Sequence, residues 1–342
     1  MSYFPAITVT YPDAQSWDRF CDGHDDGHLL QNSRWGQLKQ TTDWQATAIG
    51  VCDDGLMLAG AQVLTKKQYG LAVCYVPRGP LLCDDPLINQ TLIAAITQYA
   101  KRQRAVLVRY EPNILTTSKY ATSYQKVLMP ATTSTSTQPQ HSIHTAIDAP
   151  DAALLAQMTK GHRADIKKAE RLGVTIRTGH DATDMAQFVA LMQTTGARAD
   201  FAVHSADYYT QAWQLFGSVG RATLLLADYQ GQTVAGALIL ANTTTACYLY
   251  GGSAAEAFNC GANHLIQWHA IRWARDLGCH IYDLWGIPYP SHDAPPDGSD
   301  APMAGLIRFK KGFGGSEVSF LPAYTQVLMP LVYRVIKQRL PI

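Results

Sequence analysis

The chain has 342 residues, a length that allows two domains of ordinary size. Hydrophobic residues make up 47% of it, charged residues make up 16%, and the formal net charge is +1, so no overall field favours nucleic acid or membrane as a partner. The seven cysteines are odd in number and form no CxxC pair, which argues against a zinc site and against a disulfide framework.

The N-terminal stretch Met1–Pro5 has neither the basic start nor the apolar core of a signal peptide. No apolar run reaches the roughly 18–20 residues that a membrane-spanning helix needs. Together with the unpaired cysteines, these features lead us to expect a cytoplasmic protein.

The first half of the chain predicts strands around one helix. A polar, glycine-ended turn at Cys52–Gly55 separates two apolar runs, which is a hairpin signal. An amphipathic helix is predicted over residues 86–103, and Ala105–Tyr110 follows as a strand. The Thr/Ser/Gln/Pro-rich tract Ala131–Ser142 has no apolar stripe, so we expect a loop or linker there.

The second half predicts the same order of elements. A helix over Asp148–Arg171 is expected to stop before Gly173. The turn Asp228–Gly231 again separates two apolar runs. A helix over residues 262–277 and a strand over His280–Trp285 complete the second copy.

The two halves also share residues at a constant offset. Ala46-Thr47 aligns with Ala222-Thr223, and Ala59-Gly60-Ala61 aligns with Ala235-Gly236-Ala237. The period is too long for a solenoid. We therefore predict an α/β (α+β) fold of two related domains with mixed, mostly antiparallel sheets.

The strand–helix–strand unit resembles the acyl-CoA-dependent GNAT fold. That fold holds a pyrophosphate with a glycine-rich loop at a helix N-terminus. The equivalent stretch here, Ala257–Asn263, contains a single glycine. The sequence therefore gives little support to coenzyme A binding.

Several short motifs resemble the FemABX family of aminoacyl transferases, and the resemblance covers nearly the whole chain. The motifs are Gln31–Lys39, Tyr75–Pro80, Val108–Pro112, Arg163–Glu170, Tyr248–Ser253, Tyr282–Ile287 and Phe309–Gly314. Each motif alone is weak, but their occurrence in the family's order is specific.

The resemblance implies two tandem GNAT-like domains, over residues 1–145 plus 322–342 and over residues 146–321. The first would bind the acceptor precursor, partly in a cleft between the domains, and the second would carry the aminoacyl-tRNA side. A final helix over Val327–Leu340 would return to the first domain. Without a long heptad run, the chain looks like the short form that lacks a coiled-coil insertion.

Members of the family build interpeptide bridges of the cell wall. The implied reaction moves an amino acid from aminoacyl-tRNA to a stem-peptide amine of UDP-MurNAc-pentapeptide or of its lipid-linked form, the latter allowing peripheral membrane contact. Because the donor is an activated ester, positioning and oxyanion stabilisation are the main requirements. We expect no metal, no cofactor and no covalent intermediate.

Three residues match the reaction centre of the family. Lys310 matches a lysine whose charge would stabilise the oxyanion or bind the tRNA end, and neighbouring Lys311 is the alternative assignment. Glu111 would orient or deprotonate the amine, unless it is a surface carboxylate that pairs with Arg109 or another basic residue. Tyr250 matches a tyrosine that contacts the acceptor.

Further residues are predicted to bind substrate. Lys39 matches a lysine that binds the diphosphate of the acceptor, and Tyr208 matches an acceptor-binding tyrosine. Arg78 belongs to a family motif and is assigned to substrate binding. Tyr248 lies two residues before Tyr250 and is expected on the same sheet face, so either tyrosine could be the one used.

One position departs from the family. His204 stands where a family pattern has an arginine, four residues before the acceptor-binding tyrosine. Arginine grips a diphosphate with two parallel hydrogen bonds, whereas histidine is mostly neutral at pH 7. Arg198 could take the place of the arginine, and the nature of the acceptor stays open.

A basic helix contains Arg163, Lys167 and Lys168. These cations would meet tRNA phosphates, or they would form a solvated face partly neutralised by Asp165 and Glu170. Two rival functions also remain: an N-acyltransferase that uses acyl-CoA on a small amine, and a non-catalytic module that binds wall precursors.

Overall fold

The computed structural model describes residues 7–129, 131–199, 202–288, 290 and 301–340. Contacts divide the chain into two compact units. Unit 1 comprises Met1–Gln140 together with Ser319–Ile342, and unit 2 comprises His141–Val318. Residues 1–5, the stretch considered for a signal peptide, and residues 341–342 lie outside the described part of the chain.

The strands are numbered in chain order. They are β1 (Thr8–Thr10), β2 (Trp44–Asp53), β3 (Leu56–Gln68), β4 (Leu71–Pro77), β5 (Ala105–Glu111), β6 (Thr132–Ser134), β7 (His141–Ala146), β8 (Thr175–Thr178), β9 (Ala222–Tyr229), β10 (Gln232–Ala241), β11 (Thr245–Ser253), β12 (Ile281–Asp283), β13 (Ser316–Ser319) and β14 (Ala323–Val327).

The helices are numbered in the same way. They are α1 (Ala14–Gly23), α2 (Ser33–Gln40), α3 (Pro86–Arg102), α4 (Ala121–Leu128), α5 (Asp151–Gln157), α6 (Lys160–Arg171), α7 (Ala182–Ala199), α8 (Ala206–Gly217), α9 (Glu256–Cys260), α10 (Ala262–Asp276), α11 (Ala301–Lys311) and α12 (Pro330–Ile336). Short 3₁₀ turns lie at Leu29–Gln31 and Lys337–Arg339. Within the described residues, no helix combines the length and the apolar character needed to cross a membrane.

The sheet of unit 1 has the strand order β1-β2-β3-β4-β5-β14-β6. Strands β4 and β5 are parallel, and the other neighbours are antiparallel. Helix α3 connects the parallel pair, as a crossover connection requires. Its Ile88, Leu92 and Ile96 pack on the sheet in a core that includes Ala61 and Val108.

The sheet of unit 2 has the order β8-β9-β10-β11-β12-β7-β13. Strands β11 and β12 are parallel, and helices α9 and α10 lie between them in the chain. The pairs β8-β9, β9-β10, β10-β11 and β12-β7 are antiparallel. Apolar residues of α10, among them Leu265, Ile266 and Ile271, pack into the core of this unit.

The two sheets match strand for strand, with β7 in unit 2 at the place that β14 holds in unit 1. Each contains one parallel pair, joined through the helix that the repeat predicts. The predicted helices over residues 86–103 and 262–277 are observed as α3 and α10, within one residue of the predicted bounds. The α/β fold of two related units with mixed sheets is confirmed.

The shared Ala-Gly-Ala sequence has a packing reason. Gly60 lies on β3, where an added Cβ would be 2.6 Å from the ring of Trp17. Gly236 lies on β10, where an added Cβ would be 2.9 Å from the ring of Phe188. In both units, an aromatic ring from a helix therefore packs directly on the glycine, opposite the face that the flanking alanines share with the main core.

The prediction that the tract Ala131–Ser142 is only a loop or linker was wrong. Its residues Thr132–Ser134 form β6, which pairs with β14 at the edge of the sheet. Two of these side chains are exposed, so the strand needs no apolar alternation. The start of β7 also lies within the tract.

Two predicted helices were also wrong in extent. The helix expected over Asp148–Arg171 is broken into α5 and α6, because Thr159 caps a new helix and accepts a hydrogen bond from the His162 amide at 3.3 Å. The final helix expected over Val327–Leu340 begins at Pro330 and ends at Ile336. Val327 ends β14, whose alternating Ala323–Val327 sequence was missed as a strand.

Candidate functional site

Lys310 lies near the end of α11 with its side chain buried in unit 2. Its ammonium donates hydrogen bonds to the carbonyl oxygens of Trp285 at 3.0 Å and Gly286 at 2.6 Å. Burial lowers the pKa of this amine to about 8, against the raising effect of the Asp283 carboxylate. The structure therefore holds a fixed cation with a weakened hold on its proton.

Asp283 is a buried acid at the end of β12. Its carboxylate accepts hydrogen bonds from the Ser142 hydroxyl and from the Trp285 amide at 2.7 Å, and it lies 3.5 Å from the His144 ring. Burial raises the pKa of this carboxyl, but these partners outweigh burial and bring the pKa down to about 2. Asp283 therefore stays ionised and fixes the turn whose carbonyls hold Lys310.

No sequence motif assigned a role to Asp283. The available signal was its place at the end of the strand that corresponds to the strand ending in Glu111. The partners Ser142 and His144 lie on β7, far away in the sequence, and no pattern linked them to the strand.

Lys311 differs sharply from its neighbour. Its side chain is 44% exposed and forms a 2.7 Å ion pair with Glu317. Lys310 is 7% exposed. Of the two lysines that the sequence left open, Lys310 is therefore the one built into the interior.

Tyr250, Tyr208 and His204 come together in unit 2. The hydroxyl groups of Tyr208 and Tyr250 are 3.3 Å apart, and the His204 ring stacks on Tyr208 with ring centroids 3.9 Å apart. Tyr209 packs edge-on against Tyr250. Burial raises the pKa of Tyr208 to about 12 and raises that of Tyr250 well above its usual value, so both phenols keep their protons.

The prediction that Tyr248 and Tyr250 share a sheet face was wrong. A β-bulge shifts the register, so that Tyr250 pairs with Leu238 and Tyr248 pairs with the next residue, Ile239. Consecutive strand residues point to opposite faces. Tyr248 accordingly packs on the core that includes α10, and Tyr250 lies with the α8 tyrosines.

Glu111 is a buried acceptor in unit 1. Its carboxylate accepts hydrogen bonds from the Tyr75 hydroxyl at 2.7 Å and from the backbone amides of Thr137 and Gln138. The amide group of Gln138 also donates to the Tyr75 hydroxyl at 3.0 Å. Glu111 therefore holds the 137–138 loop and is not the Arg109-paired surface carboxylate that the sequence also allowed.

Two predicted substrate-binding cations lie in unit 1. The Lys39 ammonium sits over the Trp35 ring at 4.9 Å, and burial, followed by nearby Lys66, lowers the pKa of Lys39 to about 8. Arg78 is 2% exposed, with its guanidinium 3.9 Å from the Phe320 ring centroid. Lys39 is half-buried and Arg78 is buried, so Lys39 is the more accessible of the two.

The basic helix α6 is only partly available for phosphate binding. The Arg163 guanidinium donates to the carbonyls of Leu155, Ala156 and Met158, so it caps the C-terminus of α5. Lys167 is exposed, and Lys168 is half-buried.

Arg198, considered as a substitute for the family arginine, donates to the Ser253 carbonyl at 2.9 Å. Its guanidinium also lies 5.0 Å from the Phe258 ring. These contacts hold Arg198 at the end of β11, so its guanidinium already has partners within unit 2.

The start of α10, where a GNAT enzyme binds pyrophosphate, is covered by α6. Gly261 has a φ of +78°, and a Cβ there would lie 2.5 Å from the Asp165 carbonyl oxygen. In unit 1 the corresponding helix start is capped by Asp85, whose carboxylate accepts from the Leu87 amide at 2.8 Å. At the start of α10 the neighbouring backbone leaves no room for a diphosphate. At the start of α3 the Asp85 carboxylate would repel its negative charge.

The chemical resources of unit 2 are a buried ammonium and a cluster of phenols. An ammonium and a phenol can both stabilise an oxyanion, and a protonated phenol can also orient an amine. Within the described residues, no three His, Cys, Asp or Glu side chains are grouped as a metal site.

Comparisons with known proteins match both units. Residues 13–126 match the FemAB family, and residues 156–293 match an acetyltransferase (GNAT) domain. A lipid II:glycine glycyltransferase of Staphylococcus saprophyticus is 24% identical over 96% of this chain and 94% of its own length. The protein of the same name from Staphylococcus aureus strain USA300 is also 24% identical, with the same coverage.

Solved structures give the same fold. The crystal structure of FemX superposes with a TM-score of 0.86 at 22% identity, covering 97% of this chain and 100% of FemX. A tandem GNAT protein from the clavulanic acid biosynthesis pathway superposes with a TM-score of 0.58 at 11% identity, covering 95% of this chain and 98% of that protein. These likenesses confirm the predicted pair of GNAT-like units.

Proposed function

The chain belongs to the FemABX family, and we propose that it moves an amino acid from aminoacyl-tRNA to an amine on the stem peptide of a peptidoglycan precursor. The relatives are named for glycyl transfer to lipid II, which supports a lipid-linked acceptor over the nucleotide-linked one. The reaction would take place in the cytoplasm, where aminoacyl-tRNA is made.

The observation that carries the proposal is the buried ammonium of Lys310. Attack of a neutral amine on the aminoacyl ester places negative charge on the carbonyl oxygen of the ester, and a preorganised cation stabilises that charge. The Trp285 and Gly286 carbonyls hold the cation in place before the substrate arrives. As the tetrahedral intermediate collapses to the amide, the bond to the 3′-oxygen of the tRNA breaks, and the proton lost by the attacking amine ends on that oxygen.

The remaining predicted residues would serve binding and orientation. We assign Tyr250 and Tyr208 to contact with the acceptor, because their hydroxyl groups already form a pair. Lys39 is assigned to the diphosphate of the precursor. His204, stacked on Tyr208, would shape this site rather than supply a permanent charge.

Glu111 is assigned to orienting the acceptor through the 137–138 loop that it holds, rather than to proton abstraction. Unit 1 is proposed to bind most of the precursor, and unit 2 the aminoacyl-tRNA together with the part of the acceptor that Tyr208 and Tyr250 contact. For the tRNA, exposed Lys167 is a better candidate than Arg163, which caps α5.

An acyl-CoA N-acyltransferase is the weaker alternative. The α6 backbone against Gly261 and the Asp85 cap both oppose a pyrophosphate at the helix starts where GNAT enzymes hold it. Coenzyme A should therefore leave the melting temperature of the chain unchanged.

The decisive experiment is a transfer assay with labelled aminoacyl-tRNAs and with both the lipid-linked and the UDP-linked pentapeptide. We expect product with the lipid-linked acceptor and a loss of about 100-fold or more in kcat/KM for Lys310→Met, as for removal of an oxyanion donor. The matched control is Lys311→Met, because Lys311 is exposed and paired with Glu317. It should retain nearly full activity.

No transfer by the wild-type chain with any aminoacyl-tRNA would contradict the proposal and favour a precursor-binding module. Equal losses in the Lys310 and Lys311 variants would contradict the assigned role of Lys310.

A further inference from the structure

Several strand termini of unit 1 meet at one end of its sheet. The turn between β3 and β4 lies there, because Gln68 pairs with Leu71. Strand β5 begins beside it, since Ala72 pairs with Ala105. Antiparallel β14 therefore ends there, and helix α12 follows directly. We call this region the basic end of unit 1.

Large apolar side chains are exposed at the basic end. Tyr69, at the tip of the β3–β4 turn, is 95% exposed, and Met129, just before β6, is 69% exposed. On α12, Leu331 and Val335 are each 81% exposed, and no residue of this helix is buried. Positions 331 and 335 are one helical turn apart, so both side chains lie on one face.

Cations surround these apolar side chains. Exposed basic residues at the basic end are Lys67, Lys101, Arg102, Arg104, Arg334 and Lys337. The sequence after Glu317 contains no acidic residue. Among the described residues of this end, exposed Asp43, just before β2, is the one acid.

We propose that the basic end docks on a membrane surface that contains anionic phospholipid. Exposed aliphatic and aromatic side chains can enter the boundary between headgroups and acyl chains, while each nearby cation adds attraction to anionic headgroups. The inference deepens the proposed function, because a lipid-linked acceptor would be met at such a surface. It explains how a chain of net charge +1 can reach a membrane through a local cluster.

Two other occupants fit less well. A nucleic acid would use the cations, but it would leave the aliphatic side chains of Leu331 and Val335 in water. A second copy that used the same surface would bring like charges together.

The test is sedimentation of the full chain with vesicles of phosphatidylcholine, with and without phosphatidylglycerol. We expect binding to the anionic vesicles that weakens with salt. Leu331→Asp/Val335→Asp should reduce this binding about tenfold or more. The variant should keep its melting temperature, because both substituted side chains are 81% exposed.

The matched apolar control is Leu56→Asp. Leu56 is 67% exposed in unit 1 but lies at the opposite end of the sheet, at the β2–β3 turn. Arg334→Gln/Lys337→Gln should weaken binding, whereas Lys160→Gln/Lys167→Gln in unit 2 should not.

The inference is overturned by equal binding to both vesicle types, by equal losses in Leu56→Asp and the α12 variant, or by tRNA binding or dimerisation that the α12 variant abolishes without any vesicle binding. The assay contains no precursor and no tRNA. A failed transfer assay would therefore leave vesicle binding intact, and failed vesicle binding would leave transfer intact.

Discussion

Among the described residues, the Lys310 ammonium donates to two carbonyl oxygens, and the Asp283 carboxylate is the charge that favours its protonation. Direct pairing with a carboxylate would hold the proton more firmly and leave less positive field for a substrate oxygen. Carbonyl dipoles position the charge without neutralising it. The residue thus combines a fixed position with a pKa of about 8.

This arrangement predicts a pH dependence. A group with a pKa of about 8 is protonated below that pH and loses its charge above it. If the ammonium stabilises the oxyanion, kcat/KM for transfer should fall as pH rises through about 8. Asp283→Asn removes the contribution that raises the pKa of Lys310, so the alkaline limb should move to lower pH.

The control for this series is Asp148→Asn, since Asp148 is an 82% exposed surface carboxylate near His280. Its pH profile should coincide with that of the wild type. An alkaline limb that stays in place in Asp283→Asn would contradict the coupling between the two buried charges. A profile without any alkaline limb would contradict the need for a protonated Lys310.

Among the elements, α11 matters for the candidate site, because its C-terminal end places Lys310. Directly after the helix, a Cβ at Gly312 would overlap the His162 ring. That ring cannot move freely, since its nitrogens are 2.8 Å from the Phe309 carbonyl and 2.9 Å from the Thr159 hydroxyl. Gly312 therefore permits the close approach of α6 and the end of α11.

Gly312→Ala is accordingly expected to lower the free energy of unfolding by about 1–3 kcal/mol, as overpacking does. Adding His162→Ala should recover part of this loss, because the clash and its partner are then both removed. The control is Gly305→Ala, inside the same helix with open space around it, which should be neutral or stabilising by up to about 1 kcal/mol. Urea denaturation of these chains and of His162→Ala alone completes the double-mutant cycle, and strictly additive losses would contradict the proposed contact.

Elements with a local pattern were predictable, and elements defined by distant partners were not. Helices α3 and α10 have apolar periodicity and were found nearly to the residue. Strand β6 is short and partly exposed, so its existence depends on pairing with β14. The break before α6 depends on a single cap, Thr159.

In the candidate site, too, the features with a local motif were predictable and those that depend on distant partners were not. The family motifs led to Lys310, but its burial depends on carbonyls at positions 285 and 286, which no spacing indicates. The β-bulge that turns Tyr248 away from Tyr250 is likewise a property of the pairing with β10. Asp283 was missed because its partners Ser142 and His144 lie on a strand that follows unit 1 in the sequence.

At the scale of the whole molecule, unit 1 is built from two separate parts of the chain. Strand β14 arrives after unit 2 and lies between β5 and β6, where it pairs with both. It brings Ala323, Tyr324 and Thr325 into buried positions. Unit 1 therefore cannot complete its sheet from residues 1–140 alone.

This topology gives a direct prediction for isolated units. Residues 1–140 alone should not fold, because β5 would lose its buried neighbour and β6 its only partner in the strand order. Joining Gln140 to Ser319 with a short Gly/Ser linker should restore folding, because the Phe320 amide already donates to the Gln140 carbonyl at 2.8 Å. Residues 141–318 should fold independently, since they contain every strand of the second sheet except the last residue of β13. Amide dispersion in ¹H–¹⁵N NMR spectra distinguishes the cases, and a folded 1–140 fragment or an unfolded linked fragment would contradict the assignment of β14 to unit 1.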